Sequence, residues 1–293
     1  MAERFSAFSF VDRITQMEPG VRAAGRYAVP PHLPRFPSCL VAEAIGQLAA
    51  WTAMVRLDFR RRPVAGLAGE TLFFGAVAPG EVLELAVELE ACDEDAVAYG
   101  GSAAVDGVPV LELRHCVGPM LPMETFDAPE AMRADFAVLV GPGAPEARFR
   151  TLPEPEVSMI EREPGKALGA RLRVPASAPF FDDHFPRRPV FPGTLLLDRQ
   201  IALALDLARE AIGTGPDAAL APTRVTDVKM RAFIAPGQDV DLRVDLQPER
   251  GNGLTAALAA RVDGRIVATG RVEIAVGGRH MSEPRARSAS VQP

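Results

Sequence analysis

Hydrophobic positions alternate with polar ones along two stretches of this chain and run together along two others. From Val82 to Glu90, Leu83, Leu85, Val87 and Leu89 alternate with Glu84, Ala86, Glu88 and Glu90, and Val240 to Leu246 sets Asp241, Arg243 and Asp245 between aliphatics. A period of two is that of a half-buried strand, and an Ala-Pro-Gly turn enters each one. Leu40 to Val55 and Thr194 to Ala208 are apolar runs too long for ordinary strands, each preceded by a Pro and a small residue suited to a helix start. They predict two buried helices. Between the halves, Gly118 to Pro155 is rich in Pro, Gly, Ala and Glu and predicts a long connection with one short helix near Glu130 to Val138. After Val276 no apolar period remains, which predicts a disordered tail.

The same elements recur because the sequence repeats itself. Met17 to Pro30 (MEPGVRAAGRYAVP) matches Arg162 to Pro175 (REPGKALGARLRVP) at an offset of 145. FPSCLVAEA from Phe36 matches FPGTLLLDR from Phe191 at an offset of 155, so the first half lacks ten residues between these blocks. The Ala-Pro-Gly strands and the Asp-Gly hairpins at Asp106 and Asp263 then align at 157. One ancestral module therefore occurs twice. Each copy predicts an extended segment, a Pro-rich loop, one central helix and several antiparallel strands: modules at 1–118 and 149–277, a linker at 119–148 and a tail at 278–293.

Composition narrows the picture without naming a function. A length of 293 residues suits two modules, and 48% hydrophobic with 24% charged residues is ordinary for a folded protein. A net charge of -6 gives no sequence-wide attraction for nucleic acid. The three cysteines, Cys39, Cys92 and Cys116, lack the spacing of a disulfide framework or zinc site. The N-terminus lacks the continuous apolar region of a signal peptide. The apolar run from Leu40 is shorter than the roughly 20 residues a membrane helix needs and is interrupted by Glu43 and Gln47. These features predict a cytoplasmic protein with no membrane span.

Candidate chemistry concentrates in Pro179 to Asp198, PFFDDHFPRRPVFPGTLLLD, where a His in a Pro-dense loop precedes a helix with a carboxylate near its start. This passage resembles the 3-hydroxyacyl-acyl-carrier-protein dehydratases of the hotdog fold, in which a loop of the form HFPxRPVxPG leads into the central helix. FVDRITQMEPG from Phe10 looks like that family's opening strand, and EAIGQ from Glu43 looks like its acidic helix motif. The resemblance covers roughly residues 8 to 117 and 149 to 276. It implies an α+β double hotdog, each module a central helix wrapped by an antiparallel β-sheet, the two forming an internal pseudo-dimer that could assemble further.

In that family the site lies between two modules, one supplying the His and the other the acid. The resemblance implies His184 as the base and Gly193 as the glycine whose N–H polarises the thioester carbonyl. Glu43 and Gln47 match the acid and amide, one helical turn apart on one face. Asp198 matches the acid of the second copy, where Ala202 stands in place of the amide. The first half lacks the segment that would carry a second His, and His32 is only eleven residues before Glu43. Each half thus keeps what the other has lost, which predicts one composite site of His184 with Glu43 and Gln47, with Asp198 a weaker candidate. Glu43, set in an apolar helix where desolvation favours the neutral acid, would donate a proton to the leaving hydroxyl, and His184 would remove the proton alpha to the thioester carbonyl.

The expected activity is dehydration of 3-hydroxyacyl thioesters to 2-enoyl thioesters, on acyl carrier protein or coenzyme A, in fatty acid or polyketide assembly. No metal or other cofactor is implied. Arg60, Arg61, Arg62, Arg187 and Arg188 are candidates for contacting a phosphopantetheine phosphate or an acidic carrier protein. The alternatives are a hotdog thioesterase, an enoyl isomerase, or a non-catalytic protein that binds acyl chains or partners, since a fold does not dictate a reaction.

Overall fold

The computed structural model describes residues 5–145, 149, 151, 154–213, 220–248 and 253–276. The expected disordered tail at 278–293 lies outside the described residues, as does His280.

In the first half, β1 (Arg13–Glu18) and β2 (Arg22–Ala28) precede helix α1 (Ser38–Arg56), followed by β3 (Arg61–Pro63), β4 (Leu67–Phe73), β5 (Val82–Cys92), β6 (Ala96–Val105) and β7 (Val108–Pro122). The second half repeats the order with β8 (Glu156–Glu163), β9 (Ala167–Arg173), α3 (Gly193–Ile212), β10 (Leu220–Met230), β11 (Asp239–Pro248), β12 (Gly253–Val262) and β13 (Arg265–Val276). Helix α2 (Pro129–Val140) lies between them where the short linker helix is expected.

The alternation read from sequence translates directly into burial. Leu83, Leu85 and Val87 of β5, like Val240, Leu242 and Val244 of β11, are buried, and the residues between them face outward. The Asp-Gly hairpins also match in backbone. Asp106 and Asp263 both have φ 49°, and Gly107 and Gly264 have φ 75° and 76°. Left-handed φ at both central residues is the two-residue turn that suits the right-handed twist of a hairpin.

The helices are longer than the apolar runs suggest. Helix α3 continues past Ala208 for another turn and stops at Gly213, whose φ of 64° is a left-handed cap. Helix α1 has 19 residues, and an 18-residue window of it has a mean hydropathy of 1.3, which by length and composition alone would allow it to cross a membrane. Its apolar residues, Leu40, Ile45 and Leu48 among them, are instead covered by the sheet and by the rest of the core.

Among the described residues the strands form one 13-stranded sheet in the order β1-β2-β5-β6-β7-β4-β10-β13-β12-β11-β9-β8, with β3 beside β7. The order is a palindrome: each half runs inward to an equivalent strand, and the halves join where β4 and β10 pair antiparallel from Leu72↔Arg224 to Leu67↔Lys229. Across this seam Glu70 accepts from Arg224 at 2.6 Å, and within its own half it accepts from Arg114 of β7 at 3.1 Å. One hydrophobic cluster runs through both halves, from Phe8, Leu40 and Leu83 to Leu168, Leu196 and Val272. The halves therefore share a core, and their two helices contact each other inside it.

Candidate active site

A cavity of about 450 Å³ is lined by residues of both halves, among them Glu43 and Gln47 of α1, His184 of the Pro-rich loop, and Gly193 and Thr194 at the start of α3. Residues more than 140 positions apart in sequence meet here because the β4–β10 pairing sets the helices together.

The loop holds His184 by both its backbone and its ring. The His184 N–H donates to the Phe180 carbonyl at 2.9 Å, and its carbonyl accepts from Val190 N–H at 3.0 Å. The ring Nδ1 lies 2.8 Å from the Val190 carbonyl oxygen. A carbonyl can only accept, so Nδ1 carries the proton and Nε2 keeps a free lone pair. Phe185 stacks on the imidazole with centroids 4.2 Å apart, and Phe8 meets it edge-on at 5.4 Å. Burial among these rings pushes the imidazole pKa below its usual 6.5, against the opposing pull of Glu43 and the Val190 carbonyl. A neutral imidazole with Nε2 available is the form needed for a general base.

Glu43 is half-buried at the cavity wall, not enclosed by its apolar helix as expected. Thr194 Oγ1 donates to its Oε2 at 2.8 Å from the opposite half, and Gln47 Nε2 donates to its Oε1 at 3.1 Å. Two donors fix the carboxyl group in orientation. Gln47 is placed on the same face as expected, and its amide is engaged: Oε1 accepts from Phe10 N–H at 2.8 Å, and Nε2 also donates to the Phe8 carbonyl at 3.0 Å. It braces Glu43 from the cavity wall, with both amide hydrogens donated and one hydrogen bond accepted at Oε1.

Gly193 opens α3 and lines the cavity. The first N–H groups of a helix have no carbonyl partner within it and carry the positive end of the dipole. A Cβ at Gly193 would come within 2.9 Å of Met230 Cε, so glycine also permits this close packing. Asp198 is not among the residues lining the cavity. Its carboxylate, with a side chain only 15% exposed, is held by Arg35 at 3.2 Å and Arg199 at 3.1 Å. His32 and His115 are exposed and also lie outside the cavity lining.

The arginines divide in a way the sequence did not suggest. Arg60 and Arg61 pair with Glu94 at 2.6 Å and 3.0 Å. Arg187 donates to the Glu124 carbonyl at 3.2 Å, and the Arg188 guanidinium lies 4.5 Å from the Phe233 ring centroid. Arg62 turns into the cavity and lies over Phe185 at 4.2 Å. Burial lowers its pKa to about 10, opposed by the nearby carboxylates of Asp127, Asp183, Glu43 and Asp135. Arg62 is thus part of the site's interior, not a surface phosphate contact. Thr194, Phe8 and Asp183 are the other site residues that sequence reasoning missed. The only available signal was adjacency, to Gly193 for Thr194 and to His184 for Asp183.

From the Glu43 region the cavity extends along α1 past Ala42, Gly46 and Ala50 to Trp51 and Met54. At the equivalent places α3 carries Leu197, Ile201 and Leu205. The first half has an apolar chamber where the second has bulk.

A family model described as ApeI-like, the ApeI dehydratase, matches residues 160–271. The chain is 32% identical over 120 residues to the 3-hydroxyacyl-acyl-carrier-protein dehydratase FabZ of Anaeromyxobacter sp. (strain K), covering 38% of this chain and 72% of that relative. A solved structure of a putative oleoyl thioesterase from Lactobacillus plantarum matches with a TM-score of 0.59 at 12% identity, over 89% of this chain and 98% of that one. A protein with a hot dog fold from Alicyclobacillus acidocaldarius matches with a TM-score of 0.53 at 11% identity, over 93% of this chain and 98% of its own. The structural likenesses bear on the fold alone, and that fold is the α+β double hotdog expected from the sequence.

Proposed function

Because the chain belongs to the hotdog-fold 3-hydroxyacyl-acyl-carrier-protein dehydratase family, we propose that it converts 3-hydroxyacyl thioesters to 2-enoyl thioesters at one composite site between two modules, residues 1–118 and 149–277. The observation that carries this reading is the placement of His184 and Glu43, from opposite halves, on one cavity, with the Val190 carbonyl holding the proton on Nδ1. Nε2 of His184 takes the proton from C2 while the Gly193 N–H at the α3 start stabilises the negative charge developing on the thioester oxygen. Glu43 delivers a proton to the C3 hydroxyl. The C2–H and C3–O bonds break, the C2=C3 bond forms and water leaves. Proton return from His184 to Glu43 resets the pair.

The acyl chain lies in the apolar chamber along α1, and the thioester arm reaches the site from a carrier protein or coenzyme A. Arg187 and Arg188, exposed on the His184 loop, are placed to meet a phosphate or an acidic carrier. The biological setting that fits this chemistry is fatty acid or polyketide assembly.

The deciding experiment incubates the protein with 3-hydroxyacyl thioesters of both carriers and follows enoyl formation alongside release of free acid. Enoyl product lost in His184→Ala and Glu43→Ala but kept in Asp198→Ala is the expected result. Hydrolysis without enoyl product supports the thioesterase reading, which the fold also accommodates. Loss of turnover in Asp198→Ala with Glu43→Ala still active would overturn the pairing across the halves.

A further inference from the structure

The base and the acid belong to different halves, and one stretch of backbone touches the supports of both. Asp183, immediately before His184, accepts through Oδ2 from Ala7 N–H at 3.0 Å, Phe8 N–H at 2.8 Å and Ser9 Oγ at 3.5 Å. The carbonyl of the same Phe8 accepts from Gln47 Nε2, and Gln47 donates in turn to Glu43. Gln47 Oε1 also accepts from Phe10 N–H. The Phe8 ring, only 2% exposed, rests edge-on against His184. A continuous hydrogen-bonded path thus runs from Asp183 through the peptide groups flanking Phe8 and the Gln47 amide to Glu43. It continues to Thr194, next to Gly193 on α3.

We propose that Asp183 and the segment Ala7–Phe10 are positioning elements that fix the base loop of one half against the acid helix of the other. Without them, the placement of His184 relative to Glu43 depends on a Pro-rich loop, on the Thr194–Glu43 hydrogen bond beyond its end and on the more distant β4–β10 seam. Misplacement of reacting groups by about 1 Å can cost on the order of 100-fold in rate, so a tether at both supports bears directly on turnover. The chemistry of Asp183 suits the task, since one carboxylate oxygen can gather several N–H and O–H donors where a neutral side chain offers fewer. Neither Asp183 nor Gln47 needs to touch the reacting atoms for this.

The kinetic part of the test rests on the dehydratase reading; the spectroscopic part does not. In the full chain, Asp183→Ala should lower kcat about 10- to 100-fold with KM within about twofold. Asp183→Asn, which retains an acceptor oxygen for the Phe8 N–H, should recover most of the loss. Gln47→Leu cuts the path from the other side and should give the same kcat signature, and Asp183→Ala with Gln47→Leu should lose little more than the worse single variant. Where Asp183→Ala does not fold, Asp183→Asn and Gln47→Leu decide the matter. In protein carrying isotope-labelled histidine, the His184 ring signals should shift in Asp183→Ala and return in Asp183→Asn. An active parent whose kcat and His184 signals ignore Asp183→Ala, or fully additive losses in the double variant, would overturn the coupling. A parent with no dehydration activity but with the expected His184 shifts would overturn the dehydratase reading and leave the coupling standing.

Discussion

Glu43 on α1 and Asp198 on α3 occupy equivalent places in the two copies, yet their surroundings have diverged completely. Glu43 faces a cavity shared with His184 and takes hydrogen bonds from Thr194 and Gln47. Asp198 lies outside that cavity and is neutralised by Arg35 and Arg199. The counterpart of Thr194 is Cys39, whose thiol pKa is pushed up by burial and then by the Asp198 charge. The counterpart of Gln47 is Ala202, and the small residues of the α1 chamber, Ala42, Gly46 and Ala50, have Leu197, Ile201 and Leu205 as their counterparts on α3. What separates the two carboxyl groups here is their partners, because the position on the helix is the same.

The sharpest way to break this comparison is to remove the histidine. His184→Asn should reduce turnover by about 1000-fold, the range of general acid–base catalysis, while Asp198→Asn should leave kcat within about twofold; steady-state kinetics on one 3-hydroxyacyl thioester reads both. Giving α1 the bulk of α3 comes next. Ala50→Leu should cut kcat/KM about tenfold or more for long acyl chains and spare the shortest, as a contact of about one side chain in an apolar pocket does; equal losses at every length would place the chain elsewhere. Thr194→Val removes one donor to Glu43 and should lower kcat several-fold, roughly the value of one ordinary hydrogen bond, whereas Cys39→Ser on the mirror side should leave turnover unchanged.

Two smaller effects refine the picture. Burial holds His184 below its usual pKa of 6.5, so the imidazole stays neutral as pH falls to that value, and the acid limb of kcat/KM should lie below pH 6.5. Glu43 raises the His184 pKa, so Glu43→Gln should move the His184 titration lower still, measurable by NMR without turnover. Arg35→Ala removes a partner that is itself about half exposed, so its ion pair with Asp198 should contribute no more than about 1 kcal/mol, seen as a small fall in Tm.

Much of this was legible in the chain. The period of two in β5 and β11 and the apolar runs of α1 and α3 report local geometry, so they named their elements without tertiary information. The offset blocks identified two copies, and the missing ten residues before Phe36 together with Ala202 pointed to a single site. Other features had no local signal. Arg60, Arg61 and Arg62 look alike in sequence, and only the third turns inward, over a Phe185 delivered by the other half. Nothing near Gln47 in sequence shows that the Phe8 carbonyl and the Phe10 N–H hydrogen-bond its amide.

By itself, then, the sequence determined the repeated module, its helices and strands, and the histidine loop, all of which depend on neighbours a few residues apart. The tertiary structure decided how the copies were joined and what that joining brought together. The β4–β10 pairing seats α3 beside α1, so that Thr194 reaches Glu43, while Asp183 reaches across to the segment before β1. Side chains that meet across more than 100 residues are fixed by the sum of sheet register, helix packing and loop path. No stretch of sequence contains that sum, and it is why the acid's true partners became visible only in the folded chain.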